Sequence, residues 1–257
     1  MNHLSMKFVT GISVFALVAA TQSSASAAPI AQWATGAEAT SVYNTNQYAA
    51  TEATGAPNAT ACDGENIWAS LAGDTVDSLT LSYATAVIPT TINVYQNGKQ
   101  GAVSSVKVST NGTTWTQVYT GDPTNAVNGS CLEANYYDDI LAVRVTGIKV
   151  AIKYVRVTVD QSTAGYAEID AVQLVGKQAQ SIAGVAASLK VASTLKLPTK
   201  TNKKLAITWT SSTKSICTVK SGSLKAIKKG TCKISGTSAG NTSFAAVTLA
   251  QLVTVKK

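Results

Sequence analysis

The sequence predicts an all-β protein built from two β-sandwiches. Apolar and polar residues alternate wherever a period is clear, as in VRVTV at 155–159, and Thr, Val, Ser and Tyr, which suit half-buried strands, recur throughout. The run SVKVSTNGTTWTQVY places Asn111-Gly112 between two alternating segments, which strongly indicates a hairpin. Asn97-Gly98, after INVYQ, predicts a second turn. Because no segment keeps helical spacing, we expect strands throughout.

The N-terminus has the pattern of a secretory signal. Lys7 precedes an apolar run at 8–20, and small residues then lead to Ala25-Ser26-Ala27, an Ala-x-Ala cleavage site. We expect residues 1–27 to be removed and the mature protein to be secreted, extracellular or at the cell surface. No later run approaches the roughly 20 apolar residues of a membrane helix, so we predict no membrane span.

The only histidine, His3, lies within that signal. The mature protein would then have no imidazole for Ser-His-Asp or Cys-His catalysis, or for a His-ligated metal site. An enzymatic function would have to use carboxylates, Lys or Tyr. We therefore predict that the protein is not an enzyme.

Charge divides the chain into two predicted domains, 28–177 and 178–257. All thirteen Asp and Glu lie between Glu38 and Asp170, so the first segment, with seven Lys and Arg, carries a net charge of −6. The second segment has thirteen Lys, no Arg and no acid, and so carries +13. All nine Tyr precede Gly176. The formal charge of +8 therefore averages an acidic and a basic unit.

The four cysteines fall on both sides of this boundary. Cys62 and Cys131 lie in the first segment, and Cys217 and Cys232 lie in the second. Four cysteines allow three pairings, of which the boundary favours Cys62–Cys131 and Cys217–Cys232. In an exported protein we expect both to be structural disulfides.

Motifs of the first segment resemble a known family. They are EATGAPN at 52–58, Trp68, VKVSTNGTTWTQVY, and YVRVTVDQSTAGYAEIDAVQLVG, which ends at Gly176. Together, over residues 34–176, they resemble the galactose-binding-like domains of the discoidin or coagulation-factor C type. The resemblance implies an eight-stranded jelly-roll sandwich whose loops at one end bind ligands, most often sugars. It also implies that a structural calcium ion is common and that enzymatic activity is rare, so the expected partner is a carbohydrate or glycoconjugate.

Three loop-like stretches could supply such a site, because each combines aromatic and polar residues. They are SVYNTNQY at 41–48, ACDGENIW at 61–68 and EANYYDD at 133–139, and a Cys62–Cys131 bridge would bring the second and third together. An aromatic face suits the apolar side of a pyranose, and the polar groups suit its hydroxyls. The candidate ligand-binding residues are Tyr43, Tyr48, Trp68, Tyr136, Tyr137 and Asp138.

The aromatic candidates differ in strength. For Trp68, packing in the core or at its rim is favoured over stacking on a ligand. Tyr136 and Tyr137 are stronger candidates, because adjacent residues of a strand point to opposite sides and one of the two should be exposed. Trp115 follows the predicted hairpin turn, and we expect it to pack in the core.

Glu168 and Asp170 form a pair of acids in an otherwise apolar strand. Residues i and i+2 share a face of a strand roughly 6.6 Å apart, which reaches the lower end of the separation of about 6.5–9.5 Å in inverting glycosidases. The same face would continue as Val172 and Leu174, which places the acids at the edge of a buried surface rather than in a cleft.

Buried carboxylates need hydrogen-bond donors or a cation, so three interpretations of this pair stay open. The favoured one is a scaffold role with backbone amides around 37–41 as donors. The second is a structural Ca²⁺, which prefers oxygen ligands, and the third is catalysis. Asp63 and Glu65 are separate candidates for calcium or ligand binding, and no other cofactor is expected.

The second segment resembles a different family. Its run LAITWTSSTKSICTVKSGSLKAIKKGTCKISGTSAGN at 205–241 has predicted turns at Ser221-Gly222, Gly230 and Gly240. It resembles the bacterial immunoglobulin-like modules of surface proteins, which implies an immunoglobulin-like sandwich that spaces or presents other domains.

The charge of the second segment favours anionic partners such as envelope polymers. Lys without Arg, and without interleaved aromatics, argues against specific nucleic-acid recognition. Lys used for solubility and strand-edge protection is the alternative. The combined prediction is a non-enzymatic carbohydrate-binding or adhesion protein. A structural envelope protein without a small ligand, or a carboxylate-based glycosidase or lyase, remains as an alternative.

Overall fold

The computed structural model describes residues 28–59, 61, 64–71, 76–98, 101–125, 139–162 and 167–257. Strands dominate these ranges, and the only helical elements in them are 3₁₀ turns at Ala50–Ala53 and Pro123–Asn125. The predicted all-β class is therefore confirmed. Within the same ranges, no helix has the length and apolar character that a membrane crossing requires.

The first sandwich contains nine strands among the described residues, where eight were expected. They are β1 (Ile30–Trp33), β2 (Gly36–Ala39), β3 (Trp68–Ala69), β4 (Val76–Gly98), β5 (Val103–Ser109), β6 (Thr116–Thr120), β7 (Asp139–Arg144), β8 (Ile152–Asp160) and β9 (Ala167–Lys177).

The long strand β4 belongs to both sheets of this sandwich. Its second half, from Ile88, pairs with β7 and β9, and β9 also pairs with β1 and β3; we call this sheet 1. Its first half, up to Ser82, pairs with β2 and β8, and β5 and β6 continue the row; we call this sheet 2. The register shifts between Ser82 and Val87, where β4 passes from one sheet to the other.

Alternating residues of both sheets form the first core. Val155, Val157 and Val159 of β8 are fully buried, as their spacing predicts, and each contributes about 1.5–3 kcal/mol through burial. Tyr83 is also fully buried, and burial raises the pKa of its hydroxyl well above the ordinary value. The hydroxyl therefore stays neutral and donates to the Val172 carbonyl oxygen at 3.2 Å.

Of the two turns predicted in the first segment, one is confirmed and the other is wrong. Strands β5 and β6 pair antiparallel around Asn111-Gly112, where Gly112 has φ +77° and the Asn111 side chain accepts from the backbone amides of Thr113 and Thr114. Asn97 and Gly98, by contrast, lie inside β4 and pair with Glu168 and Ala167 of β9. Asn97 is buried there and donates its side-chain amide to the Ala61 carbonyl, so the pair extends a strand.

The second sandwich consists of two smaller sheets. Its strands are β10 (Ser188–Lys190), β11 (Thr194–Lys196), β12 (Thr208–Ser211), β13 (Cys217–Lys220), β14 (Ser223–Ala226), β15 (Gly230–Ser238) and β16 (Val247–Lys256). Sheet 3 has the order β10-β16-β15-β12, and sheet 4 has the order β11-β14-β13. The immunoglobulin-like type of this unit stays a prediction.

The second core is separate from the first and contains the predicted disulfide. Cys217 and Cys232 are bonded and fully buried beside Trp209 and Leu224. The predicted turn at Ser221-Gly222 joins β13 to β14, and both residues have positive φ (+48° and +73°). The two cores lie on either side of 177/178, while the domain bounds themselves stay a prediction.

Candidate functional site

Strand β9 contains a β-bulge at Asp170. Tyr95 of β4 pairs with Ala171, but the next residue, Gln96, pairs with Ile169, so Asp170 is an extra residue in β9. The core-facing positions accordingly change phase, from Ala167 and Ile169 before the bulge to Val172 and Leu174 after it. The expectation that Glu168 and Asp170 share a face with Val172 and Leu174 is therefore wrong.

The bulge directs the Asp170 carboxylate to the EATGAPN segment. Its two oxygens accept from the Asn58 backbone N–H at 3.1 and 3.0 Å, and Oδ2 also accepts from the Ala59 N–H at 3.1 Å. The Asn58 side-chain amide, with its nitrogen turned toward them, donates to Asp170 Oδ1 and to the Asn66 carbonyl, both at 3.2 Å. Asp170 is 1 % exposed, while Asn58 is exposed and Ala59 is half-buried, so these charge-assisted bonds are partly buried.

This arrangement supports the scaffold interpretation of Asp170 and corrects its donors. The amides belong to Asn58 and Ala59, where residues around 37–41 were expected. Glu168 is also buried, and its Cα lies opposite Ala69 and Asn97. The comparison with inverting glycosidases assumed that Glu168 and Asp170 lie two residues apart on one face of a regular strand. Because Asp170 lies in a bulge, that assumed distance does not apply.

The segment 41–48 is fastened to β3 at the same end of the sandwich. The Trp68 indole N–H donates to the Ser41 carbonyl at 3.0 Å, and the Tyr43 N–H donates to the Ala69 carbonyl at 2.8 Å. The Ser41 hydroxyl accepts from the Leu71 N–H at 3.1 Å. These bonds place two of the three predicted loop stretches side by side.

Tyr43 and Tyr48 form an aromatic pair on this segment. Their ring centroids are 5.5 Å apart with an interplanar angle of 82°, which is an edge-to-face contact. Tyr43 is 52 % exposed, while Tyr48 is half-buried. The Asn44 side chain holds the turn between them by accepting from the Asn46 N–H at 2.9 Å.

Polar groups lie beside this pair. The Gln47 side-chain amide donates to Glu65 Oε1 at 2.6 Å and so joins the 41–48 and 61–68 stretches. Both side chains are exposed. We call Tyr43, Tyr48, Gln47 and Glu65 the loop site. Sequence reasoning missed Gln47, although it lies one residue before a predicted aromatic.

The structure places Trp68 in the core, as favoured, and Trp115 outside it. Trp68 is 0 % exposed, so its ring cannot serve as a stacking platform, and it is removed from the ligand-binding candidates. Trp115 is half-buried outside the core, with the Arg156 guanidinium carbon 4.2 Å from its ring centroid. The expectation of core packing for Trp115 is therefore wrong, because the ring covers a cation on the outer face of sheet 2.

The remaining candidates stay predictions. Tyr136, Tyr137 and Asp138 lie outside the described residues, as do Asp63 and the proposed Cys62–Cys131 pair. Within the described ranges, no three His, Cys, Asp or Glu side chains converge as a metal site would require. Calcium at Glu168 and Asp170 thus stays a hypothesis.

Three of the solved structures to which this chain is similar match between 55% and 57% of it. One is chitosan-binding module 1 of a chitosanase/glucanase from Paenibacillus sp. IK-5, at 20% identity, with 55% of this chain and 94% of that one covered and a TM-score of 0.41. Another is a family 32 carbohydrate-binding module from C. perfringens in complex with galactose, at 17% identity, 57% and 99% coverage and a TM-score of 0.39. A third is an F5/8 type C domain from Bacteroides fragilis, at 17% identity, 57% and 92% coverage and a TM-score of 0.39.

Likenesses this weak say nothing about the ligand of the present chain. No curated protein matches it. One family model, described as Pappalysin-1, SD scarf domain, C-terminal, matches residues 22–184, which is more than half of the chain. The chain therefore belongs to the family of the C-terminal SD scarf domain of pappalysin-1.

Proposed function

We propose that this chain is a secreted or cell-surface protein that binds carbohydrate without transforming it. The observation that carries the proposal is the loop site, where the exposed Tyr43 pairs with Tyr48 on a segment that is fastened to β3 and also holds Gln47, bonded to Glu65. The exposed ring of Tyr43 can pack against the apolar side of a pyranose ring. Gln47 and Glu65 supply a donor and acceptors for its hydroxyls.

The way in which the loop is held favours binding by a pre-formed surface. Ser41 accepts from both Trp68 and Leu71, and the Trp68 ring is locked in the core. A ligand would therefore meet Tyr43 in a position that is already ordered, which lowers the entropic cost of binding. Tyr43, Gln47 and Glu65 are all exposed, so we expect weak affinity for a single sugar and stronger attachment to repeated ones.

Replacing Tyr43 with Ala should weaken glycan binding about tenfold, since losing one aromatic contact costs on the order of 1.4 kcal/mol. The full-length mature protein would first be applied to a glycan array, and the best glycan would then be measured by titration calorimetry. Tyr43→Phe is the matched control, because it keeps the ring and should stay within about threefold of the native affinity.

Two results would contradict this proposal. An array that stays blank at millimolar sensitivity would point to a structural envelope protein without a small ligand. Sustained turnover of a glycan, abolished by Glu168→Gln without a change in melting temperature, would instead make the protein a carboxylate-based enzyme.

We further propose that the second sandwich holds the protein to an anionic envelope polymer. All thirteen Lys side chains of 178–257 are exposed, and this segment contains no acid to neutralise them. Such a surface attracts polyanions without requiring a shaped pocket.

The matching prediction concerns salt. The protein should be retained on immobilised dextran sulfate at about 0.1 M NaCl and released toward about 1 M, because the Debye length falls from about 10 Å to about 3 Å. Unmodified dextran is the control matrix. A variant with Lys225, Lys228 and Lys229 changed to Gln should elute at lower salt. Equal elution of the variant and the native protein would show that these lysines serve only solubility or spacing.

A further inference from the structure

The outer face of sheet 2 carries polar rows that cross its strands. In each row, the strand registers place one residue from each neighbouring strand side by side. The first row consists of Gly36, Ser82, Tyr154 and Ser109. The second row consists of Glu38, Thr80, Arg156, Lys107 and Gln117. The opposite face of the same strands supplies Val155 and Val157 to the core. The polar rows therefore lie on the face of sheet 2 opposite its core, and they share no residue with the loop site.

Two glycines open a groove in this face. A Cβ at Gly36 would lie 2.8 Å from Ser82 Oγ, and a Cβ at Gly112 would lie 3.6 Å from the Tyr154 ring. The groove has a volume of about 300 Å³ and is lined by Gly36, Ala37, Glu38, Thr80, Ser82, Gly112 and Tyr154. This size lies at the lower end of the range of about 300–1,000 Å³ that is usual for small-molecule sites.

Neighbouring residues order the polar groups of the groove. The Arg156 Nε–H donates to Thr80 Oγ1 at 3.0 Å, and Trp115 covers the Arg156 guanidinium. Since Thr80 Oγ1 accepts from Arg156, its own hydroxyl proton is directed elsewhere and can be donated to a ligand. The guanidinium itself is engaged on two sides, so it positions Thr80 and need not contact the ligand.

Glu38 and Tyr154 both line this groove and supply its carboxylate and its phenol. Glu38 is exposed on the edge strand β2, and Tyr154 is half-buried on β8. Among the described residues, neither the Glu38 carboxylate nor the Tyr154 hydroxyl has a hydrogen-bond or ion-pair partner. The groove thus offers an aromatic ring, an accepting carboxylate and the hydroxyls of Thr80 and Ser82.

We propose that this groove is a second saccharide-binding site, separate from the loop site, and that it takes a neutral hexopyranose oligosaccharide. The Tyr154 ring would cover the apolar side of one sugar, while Glu38, Thr80 and Ser82 would bind its hydroxyls. The Glu38 carboxylate makes the groove prefer a neutral sugar to an acidic one, because it accepts hydrogen bonds from hydroxyl groups but repels a uronate carboxylate at the same position. The inference extends the proposed carbohydrate binding to a second surface and does not need the loop site to function.

The test uses two probes that differ in one group on each ring. Cellotetraose is neutral, and the β-1,4-linked tetramer of glucuronic acid carries a carboxylate on each ring. Each is titrated into the full-length mature protein while backbone amide signals are followed by NMR. We expect cellotetraose to shift the amides of Gly36, Thr80 and Gly112 at up to about 10 mM, and the glucuronate tetramer to bind at least about fivefold more weakly.

Variants assign the effect to the groove. Tyr154→Ala should weaken cellotetraose binding at these amides about tenfold, whereas Tyr43→Ala should leave it unchanged. Glu38→Gln, an exposed isosteric change that should fold normally, should bring the two probes to similar affinity by removing the repulsion. Gln117 lies beyond Lys107 on the same face and does not line the groove. Gln117→Ala is therefore the matched control, and it should leave cellotetraose binding unchanged.

Specific results would overturn the proposal. They are an absence of shifts at Gly36, Thr80 and Gly112 with cellotetraose, or an unchanged preference between the probes in Glu38→Gln. If Tyr154→Ala fails to fold, the Glu38→Gln comparison decides the question by itself. If Tyr43→Ala does not weaken glycan binding but cellotetraose still shifts the groove amides, the loop site is rejected and the groove is kept. The failure of one proposal can therefore be told from the failure of the other.

Discussion

Replacing Asp170 with Ala is expected to destabilise the first sandwich by about 3 kcal/mol, because the backbone N–H groups of Asn58 and Ala59 lose a charged and buried acceptor. For a chain of this size, that corresponds to a fall in melting temperature of about 6–12 °C. The affected donors are Asn58 and Ala59, so hydrogen exchange should rise first in the EATGAPN segment. Calorimetry and hydrogen-exchange mass spectrometry of the full-length protein would measure both effects.

Two comparisons decide whether hydrogen bonding is the cause. Asp170→Asn keeps one accepting oxygen and should lose about half as much stability as Ala, whereas Asp139→Asn, at an exposed position of β7, should change it by less than about 0.5 kcal/mol. A native protein whose melting temperature drops in chelator and recovers in Ca²⁺ would contradict a purely hydrogen-bonded role. It would restore the calcium interpretation of Glu168 and Asp170.

Removing the disulfide with Cys217→Ala and Cys232→Ala together should destabilise the second sandwich by about 3 kcal/mol, as expected for a closed loop of about 15 residues. For a unit of about 80 residues this is a loss of roughly 12–24 °C in melting temperature. The two sulfurs are fully buried in the smaller of the two cores, so their replacement also removes packing. Hydrogen-exchange mass spectrometry would show the loss of protection in β13 and β15.

The double variant is preferable to a reductant, which would act on every disulfide in the chain. Strand β4 of the first sandwich serves as the internal control, because its core shares no residue with the second one. Unchanged protection in β13 and β15 would mean that packing around Trp209 and Leu224 holds this sandwich without the bridge. Equal loss of protection in β4 would mean that the two sandwiches unfold together.

The elements that could be predicted from the sequence depend on local chemistry. The burial of Val155, Val157 and Val159 follows from alternation alone, since period two is a property of any strand. The turns at Asn111-Gly112 and Ser221-Gly222 follow from residues that tolerate positive φ. The Cys217–Cys232 bridge follows from the division of the chain into an acidic and a basic part.

The elements that could not be predicted depend on a partner strand. Asn97-Gly98 has the composition of a turn but continues β4, because Glu168 and Ala167 of β9 pair with it. Trp115 is a large apolar residue of the kind expected in a core, but its ring lies over the Arg156 guanidinium. Arg156 belongs to β8, so this contact depends on a different strand. The choice of Tyr43 and Tyr48 as binding residues stays a prediction, while the neighbouring Gln47 became apparent only through its bond to Glu65.

By itself, the sequence determined the all-β class, the two hairpin turns that formed, and the contrast between an acidic and a basic half, because each of these depends on neighbouring residues or on composition. Only the tertiary structure decided the face to which Asp170 points and the groove beside Tyr154. A bulge exists only relative to the strand beside it, and Asp170 meets Asn58 across 112 residues of chain. The groove requires Gly36 of β2 to lie against Ser82 of β4, an alignment set by the pairing of two distant segments.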